Sequence, residues 1–107
     1  MGAAGPAILH VVLMHPRPGI EDVAIQRLHE ALAALRDVIP GVTGLEFGPN
    51  VSPEGKGGGY DLGFVMTFES AAARDAYLPH PDHVAVGPLV EAVADRVLVF
   101  DVEAAAT

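Results

Sequence analysis

The strongest constraint on this chain is a change of hydrophobic period close to its start. Residues 8–14 form an apolar run rich in β-branched side chains, interrupted only by His10, and Pro16 and Pro18 end it. That pattern predicts a buried strand. Alternation puts His10, Val12 and Met14 on one face of the strand and Leu9, Val11, Leu13 and His15 on the other. From Gly19 onward, Ile20, Val23, Ala24, Leu28, Ala31, Leu32 and Leu35 recur at intervals of three and four, the period of a helix that buries one stripe. Glu21 and Asp22 stand where a helix start favours negative charge, and the helix ends before Pro40.

The rest of the chain repeats the alternation of periods. Residues 41–47 predict a second strand, closed by Gly48-Pro49-Asn50. The segment 53–59 ends in three consecutive glycines; their backbone entropy opposes regular structure and makes this a hairpin tip or a lid. Residues 60–68 return to extended character, with Leu62, Phe64, Met66 and Phe68 on one face. Ser70 is suited to cap a helix over 71–77, which His80-Pro81-Asp82-His83 interrupts before a short helix over 86–94. The last strand covers 96–102, with Val97, Val99 and Asp101 opposed to Leu98, Phe100 and Val102.

The order βαββαβ predicts an α+β fold of the split βαβ, ferredoxin-like kind: a four-stranded antiparallel sheet with helices on one face. The other face is left bare and apolar, so a second sheet is expected against it, most simply another copy related by a two-fold axis, giving a dimeric α/β barrel. At 107 residues the chain has room for one domain. It is expected over residues 8–103, with a flexible start at 1–7 and a frayed tail at 104–107.

Composition narrows the partners. Half of the residues are hydrophobic and the mean hydropathy is +0.36, which favours burial of surface beyond one small core, hence self-association. Six Lys and Arg stand against fourteen Asp and Glu, a net charge of −8, so neither nucleic acid nor an anionic membrane is an expected partner. The absence of cysteine removes disulfides, thiolate catalysis and zinc-thiolate sites. Residues 1–7 lack the basic and long apolar regions of a secretory signal, and no apolar run is long enough to span a bilayer; a cytoplasmic protein is expected.

Histidine, tyrosine and carboxylate are the reactive side chains that remain. His10 on the first strand, Tyr77 at the end of the second helix and His83 in the His-Pro turn are placed to form an acid–base cluster. The plainer alternative is that these groups satisfy one another and fix the turn. His80 and His83 have a proline between them and no third His or Cys nearby in sequence, so no metal site is expected. His15 and His29 read as surface residues and Tyr60 as a strand-start anchor. No phosphate-binding motif accompanies the glycines, and no cofactor is expected.

One set of motifs is specific: His10-Val11-Val12-Leu13, Ile39-Pro40-Gly41-Val42, Tyr60-Asp61, Thr67-Phe68-Glu69-Ser70, Tyr77 with His80-Pro81-Asp82-His83, and Leu98-Val99-Phe100-Asp101. In this order the chain resembles the stress-responsive dimeric α/β-barrel (Dabb) family over about residues 8–103. The resemblance implies the ferredoxin-like fold and the homodimeric barrel. It also implies an apolar pocket and, by likeness to polyketide cyclases of the family, a cofactor-free cyclase, isomerase or lyase acting on a hydrophobic carbonyl compound. His10, Tyr77 and His83 are then the catalytic candidates, with His80, Leu62, Val12, Leu28 and Phe64 contacting the ligand. Leu62 stands where a family cyclase has a third-strand histidine, so the base falls to His83 or His10, with Tyr77 donating to a carbonyl oxygen. Some members resemble magnesium binders that use main-chain carbonyls, here around Arg36, Ile39 and Val42. The alternative function is a non-catalytic, stress-related ligand-binding or structural oligomeric protein.

Overall fold

The strand β1 (Ile8–Pro16) lies inside the sheet, hydrogen-bonded to β3 (Leu62–Phe68) on one edge and to β4 (Ala94–Glu103) on the other; β2 (Val42–Pro49) pairs with the far edge of β3. All pairings are antiparallel, in the order β2-β3-β1-β4. The structure, a computed structural model, describes residues 5–105. Helices α1 (Asp22–Val38), α2 (Ala71–Tyr77), the single turn α3 (Pro81–Val84) and α4 (Gly87–Val93) complete the expected βαββαβ order. Residues 1–4 and 106–107 of the expected flexible ends lie outside the described residues. The Ala104 N–H donates to the Ala7 carbonyl at 2.8 Å, one step of ladder beyond the expected strand ends.

The core forms where the two periods meet. Ile8, Val12 and Met14 of β1 and Leu62, Phe64, Met66 and Phe68 of β3 are buried on one sheet face, under Leu28, Leu32 and Leu35 of α1. Alternate residues of β1 and β3 on the opposite face are only half-buried. Helices therefore cover one face alone.

Where element ends differ from expectation, local hydrogen bonds explain it. α1 starts at Asp22 because Gly19 takes a positive φ of 76° within a turn closed by Ile20 N–H on the Arg17 carbonyl. β3 starts at Leu62 because the amides of Tyr60 and Asp61 bond the carbonyls of Gly57 and Gly59, each at 3.0 Å. β4 begins at Ala94 because α4 passes into it without a loop: Ala94 is already extended at φ −124°, ψ 138°.

The β4 strand is the exception to the layering. Residues directly opposite in a pair share a face, so Val97, Val99 and Asp101, opposite Met14, Val12 and His10, lie on the helix side. Even so, Val97 and Val99 are 44% and 57% exposed. The helices leave the core-side surface of β4 open.

Gly41 fastens α2 to the sheet. It has φ +91°, and a Cβ added there would come within 2.5 Å of the Ala73 Cβ, while its carbonyl accepts the Glu69 N–H at 2.9 Å. Gly41→Ala is expected to cost about 1–3 kcal/mol, from left-handed backbone strain and displacement of α2. Urea unfolding checks this: a midpoint equal to wild type would contradict the close approach.

Candidate active site

His10 follows from the alternation of β1: the period that buries Val12 and Met14 carries the imidazole into the core, 6% exposed. A polar group there needs a partner, and the β1–β4 register supplies one by setting His10 opposite Asp101. Nδ1 of His10 lies 2.6 Å from Asp101 Oδ1, and Nη1 of Arg74, on α2, donates to Asp101 Oδ2 at 2.7 Å. Arg74 also donates from Nε to Asp75 at 2.8 Å, so carboxylates hold two sides of its guanidinium. Burial pushes the Asp101 carboxyl up, but the hydrogen bonds from Arg74 and His10 outweigh it and hold the group below the usual carboxylate range. An ionised Asp101 only accepts, so His10 carries a proton on Nδ1 and, when neutral, presents Nε2 as a base.

Tyr77 and His83 arrive by a different route. Ser70 caps α2 by accepting the Ala73 N–H at 3.1 Å, which sets the helix phase and turns Tyr77 inward, 1% exposed. Pro79 and Pro81 then break the helix, and the return turn lays His83 against Tyr77 with ring centroids 4.1 Å apart. His83 Nδ1 is 2.9 Å from the Leu78 carbonyl. A carbonyl only accepts, so Nδ1 donates and Nε2 of neutral His83 is again the basic nitrogen. Burial alone pushes the Tyr77 phenol well above its ordinary value, and a phenol that keeps its proton is a donor. The Tyr77 ring lies 6.3 Å from His10 and 4.8 Å from Phe68.

The structure thus brings His10, Tyr77 and His83 into one cluster. His80 does other work: its Nδ1 accepts the Asp82 N–H at 3.1 Å and caps α3. Val12, Leu62 and Phe64 lie on the same sheet face as His10, with Leu28 above them on α1, all in the packed core. A cavity of about 550 Å³ opens across the sheet, bordered by Val11, Leu13, Gly63 and Val65, with Leu62 and Phe64 also at its margin. The helix-side approach to the cluster is instead the open strip along Val97 and Val99.

Asp101 and Arg74 are the residues that sequence reasoning missed. Asp101 stands on the inward phase of β4, but only the register shows that it meets His10. His15 also differs from a plain surface residue. Its ring meets Tyr60 edge-on at 5.9 Å, and Nδ1 lies 2.9 Å from Asp95 Oδ1 without the alignment of a hydrogen bond. His29 stacks on Phe47 at 4.4 Å. Among the described residues no three His, Cys, Asp or Glu side chains converge on a metal position, and the Ile39 carbonyl already accepts the Val42 N–H at 3.4 Å.

Asp101→Asn tests the network. A carboxylate with a depressed folded pKa stabilises above its unfolded value, about 3.9, and loses that contribution as pH falls through the folded value. The variant is expected to be less stable by about 1–3 kcal/mol at pH 7, and the difference should shrink below about pH 4. Urea midpoints at pH 7 and pH 3 measure it; an equal deficit at both would remove the ion-pair account.

Comparison with known proteins agrees with this arrangement. The profile of the stress responsive A/B barrel domain matches residues 8–104. The stress-response A/B barrel domain-containing protein HS1 of Arabidopsis thaliana is 34% identical over 99 residues, covering 92% of this chain and 90% of the relative. Olivetolic acid cyclase of Cannabis sativa is 25% identical over 95 residues, covering 89% and 94%. The crystal structure of a dimeric ferredoxin-like protein of unknown function from Jannaschia sp. CCS1 superposes with a TM-score of 0.75 at 36% identity, covering 92% of this chain and 99% of that one. A single match of this extent across strands, helices and the His-Pro turn identifies the chain as a member of the stress-responsive A/B barrel domain family.

Proposed function

We propose that the protein is a homodimer whose His10–Tyr77–His83 cluster performs cofactor-free acid–base chemistry, as a cyclase, isomerase or lyase, on a hydrophobic carbonyl compound. The observation that carries this reading is the division of labour within the cluster. His83, tied to the Leu78 carbonyl through Nδ1, offers Nε2 as a base, while the buried Tyr77 phenol keeps its proton and can donate. Proton abstraction beside a carbonyl needs both: a base for the C–H proton and a donor for the oxygen as negative charge develops. His10, fixed by Asp101 and Arg74, supplies a second basic nitrogen across the Tyr77 ring. The open apolar strip at Val97 and Val99 suits a hydrophobic substrate.

Two relatives support the parts of this reading. Olivetolic acid cyclase, similar along nearly its whole length, is an enzyme by name, and the Jannaschia structure is described as dimeric. A second reading, a stress-related binding or structural oligomer, is favoured by the likeness to the Arabidopsis stress-response protein and by the backbone bonds that already engage His80 and His83.

Thermal unfolding with a panel of aromatic, polyketide-like and β-keto acids separates the two. A ligand at 100 times its dissociation constant adds about 2.7 kcal/mol. For the enzyme, a compound that shifts wild type should shift His83→Ala less and be converted to product. Turnover is expected to fall about 10²–10⁴-fold in His83→Ala and to drop also in Tyr77→Phe. Binding without conversion would establish the second reading, and turnover undiminished in His83→Ala would remove His83 as the base.

A further inference from the structure

The bare face of the sheet has two unlike halves. From β2 to β4, one row runs Gly48, Gly63, Leu13, Leu98, and two rows away Gly44 stands across the sheet from Val102. The β2–β3 side is therefore low where these glycines fall. The β4 side is high: Leu98, Phe100 and Val102 are 42%, 60% and 44% exposed. The 550 Å³ cavity lies over the low half, and a Cβ built at Gly48 meets nothing within 4 Å.

Two packed sheets stand about 10 Å apart with interdigitated side chains. A two-fold axis running along the strands lays β4 of each copy over β2 of the other, so large side chains meet glycines. An axis in the interface plane but across the strands lays β4 on β4, crowding Phe100 against its own copy and leaving facing glycine rows with a void. Interior packing tolerates neither the void nor the crowding. A face of four strands about 4.8 Å apart and about nine residues long covers roughly 600 Å² in projection. That is the scale of the ~800 Å² each partner contributes to a stable interface.

We infer that the occupant of this cavity is a second copy of the chain, docked about an axis along the strands, with Leu98 and Phe100 of each protomer seated in the glycine-floored hollow of the other. The inference rests on the homodimer reading above and adds which strands meet.

The chain has no cysteine, so introduced thiols report without background. Gly48→Cys chains and Leu98→Cys chains, refolded together, are treated with a bismaleimide that spans about 10 Å, the separation of packed sheets. The expected result is a covalent dimer in the mixture and little in either variant alone, because like positions on β2 or β4 then lie at opposite edges of the interface, about 14 Å apart across the sheet. Efficient cross-linking of Phe100→Cys to itself would overturn the axis. So would absence of product in a mixture that light scattering shows to be dimeric. If an apolar compound, and not raised protein concentration, shields the Gly48→Cys thiol from labelling, the cavity belongs to a ligand and the inference falls. A wild-type chain that scatters as a monomer at every concentration removes the homodimer reading itself.

Discussion

The pairing of β1 on both of its edges is the constraint from which the site and the surface follow. A strand held between β3 and β4 cannot rotate its side chains, and a slip of one residue would send every apolar group to the wrong face. Once Ile8, Val12 and Met14 are committed to the core, His10 goes with them. A buried imidazole without a partner is costly, and the register meets that cost with Asp101, whose own partial burial is offset by Arg74 from α2. The chain of polar contacts that joins strand, strand and helix is thus a consequence of one alternation.

The helical region after β3 shows how local breaks create a reactive arrangement. A continuous helix over residues 71–93 would be about 35 Å long and straight, and His83 would continue away from Tyr77 along it. Pro79 and Pro81 forbid that path, and the His80 side chain steadies the return by capping α3. The result places His83 on the Tyr77 ring. It also shortens α3 and α4 so that they do not cover the core side of β4, where Val97 and Val99 remain open. Apolar surface left exposed beside a buried, protonated phenol is a loss for stability alone and a gain for binding an apolar molecule.

Most of the fold was legible because periods of two and of three to four are properties of consecutive residues. Residues 8–14 and 20–35 declare strand and helix without tertiary knowledge, and proline and glycine mark the breaks. The site was legible only in part. His10, Tyr77 and His83 could be proposed because each sits on an inward phase or beside a break. Asp101 and Arg74 could not be joined to them, since Asp101 is 91 residues from His10 in the chain and only the β1–β4 register brings them together. His80 shows the reverse case: a histidine in a promising motif whose Nδ1 is committed to the backbone. Nothing in the residue type separates a capping histidine from a basic one; the partner of Nδ1 does. The openness of β4 was hidden for a similar reason, because Val97 and Val99 have the pattern of buried residues and are exposed only through what the helices fail to reach.

The two faces of the sheet divide the molecule's work while sharing one backbone. On β1, His10 and Val12 belong to the helix side and Leu9, Val11 and Leu13 to the bare side; on β4, Asp101 and Val99 alternate with Phe100 and Leu98 in the same way. A partner pressed against the bare side therefore loads the same two strands whose register holds Asp101 at 2.6 Å from His10. Strands that twist freely as an edge pair are flattened or coiled by a packed second sheet, and a shift of a few tenths of an ångström is enough to weaken a hydrogen bond of that length. The geometry of the histidine cluster is for this reason set jointly by the core beneath it and by whatever covers the opposite face, which places assembly and chemistry on a single pair of strands.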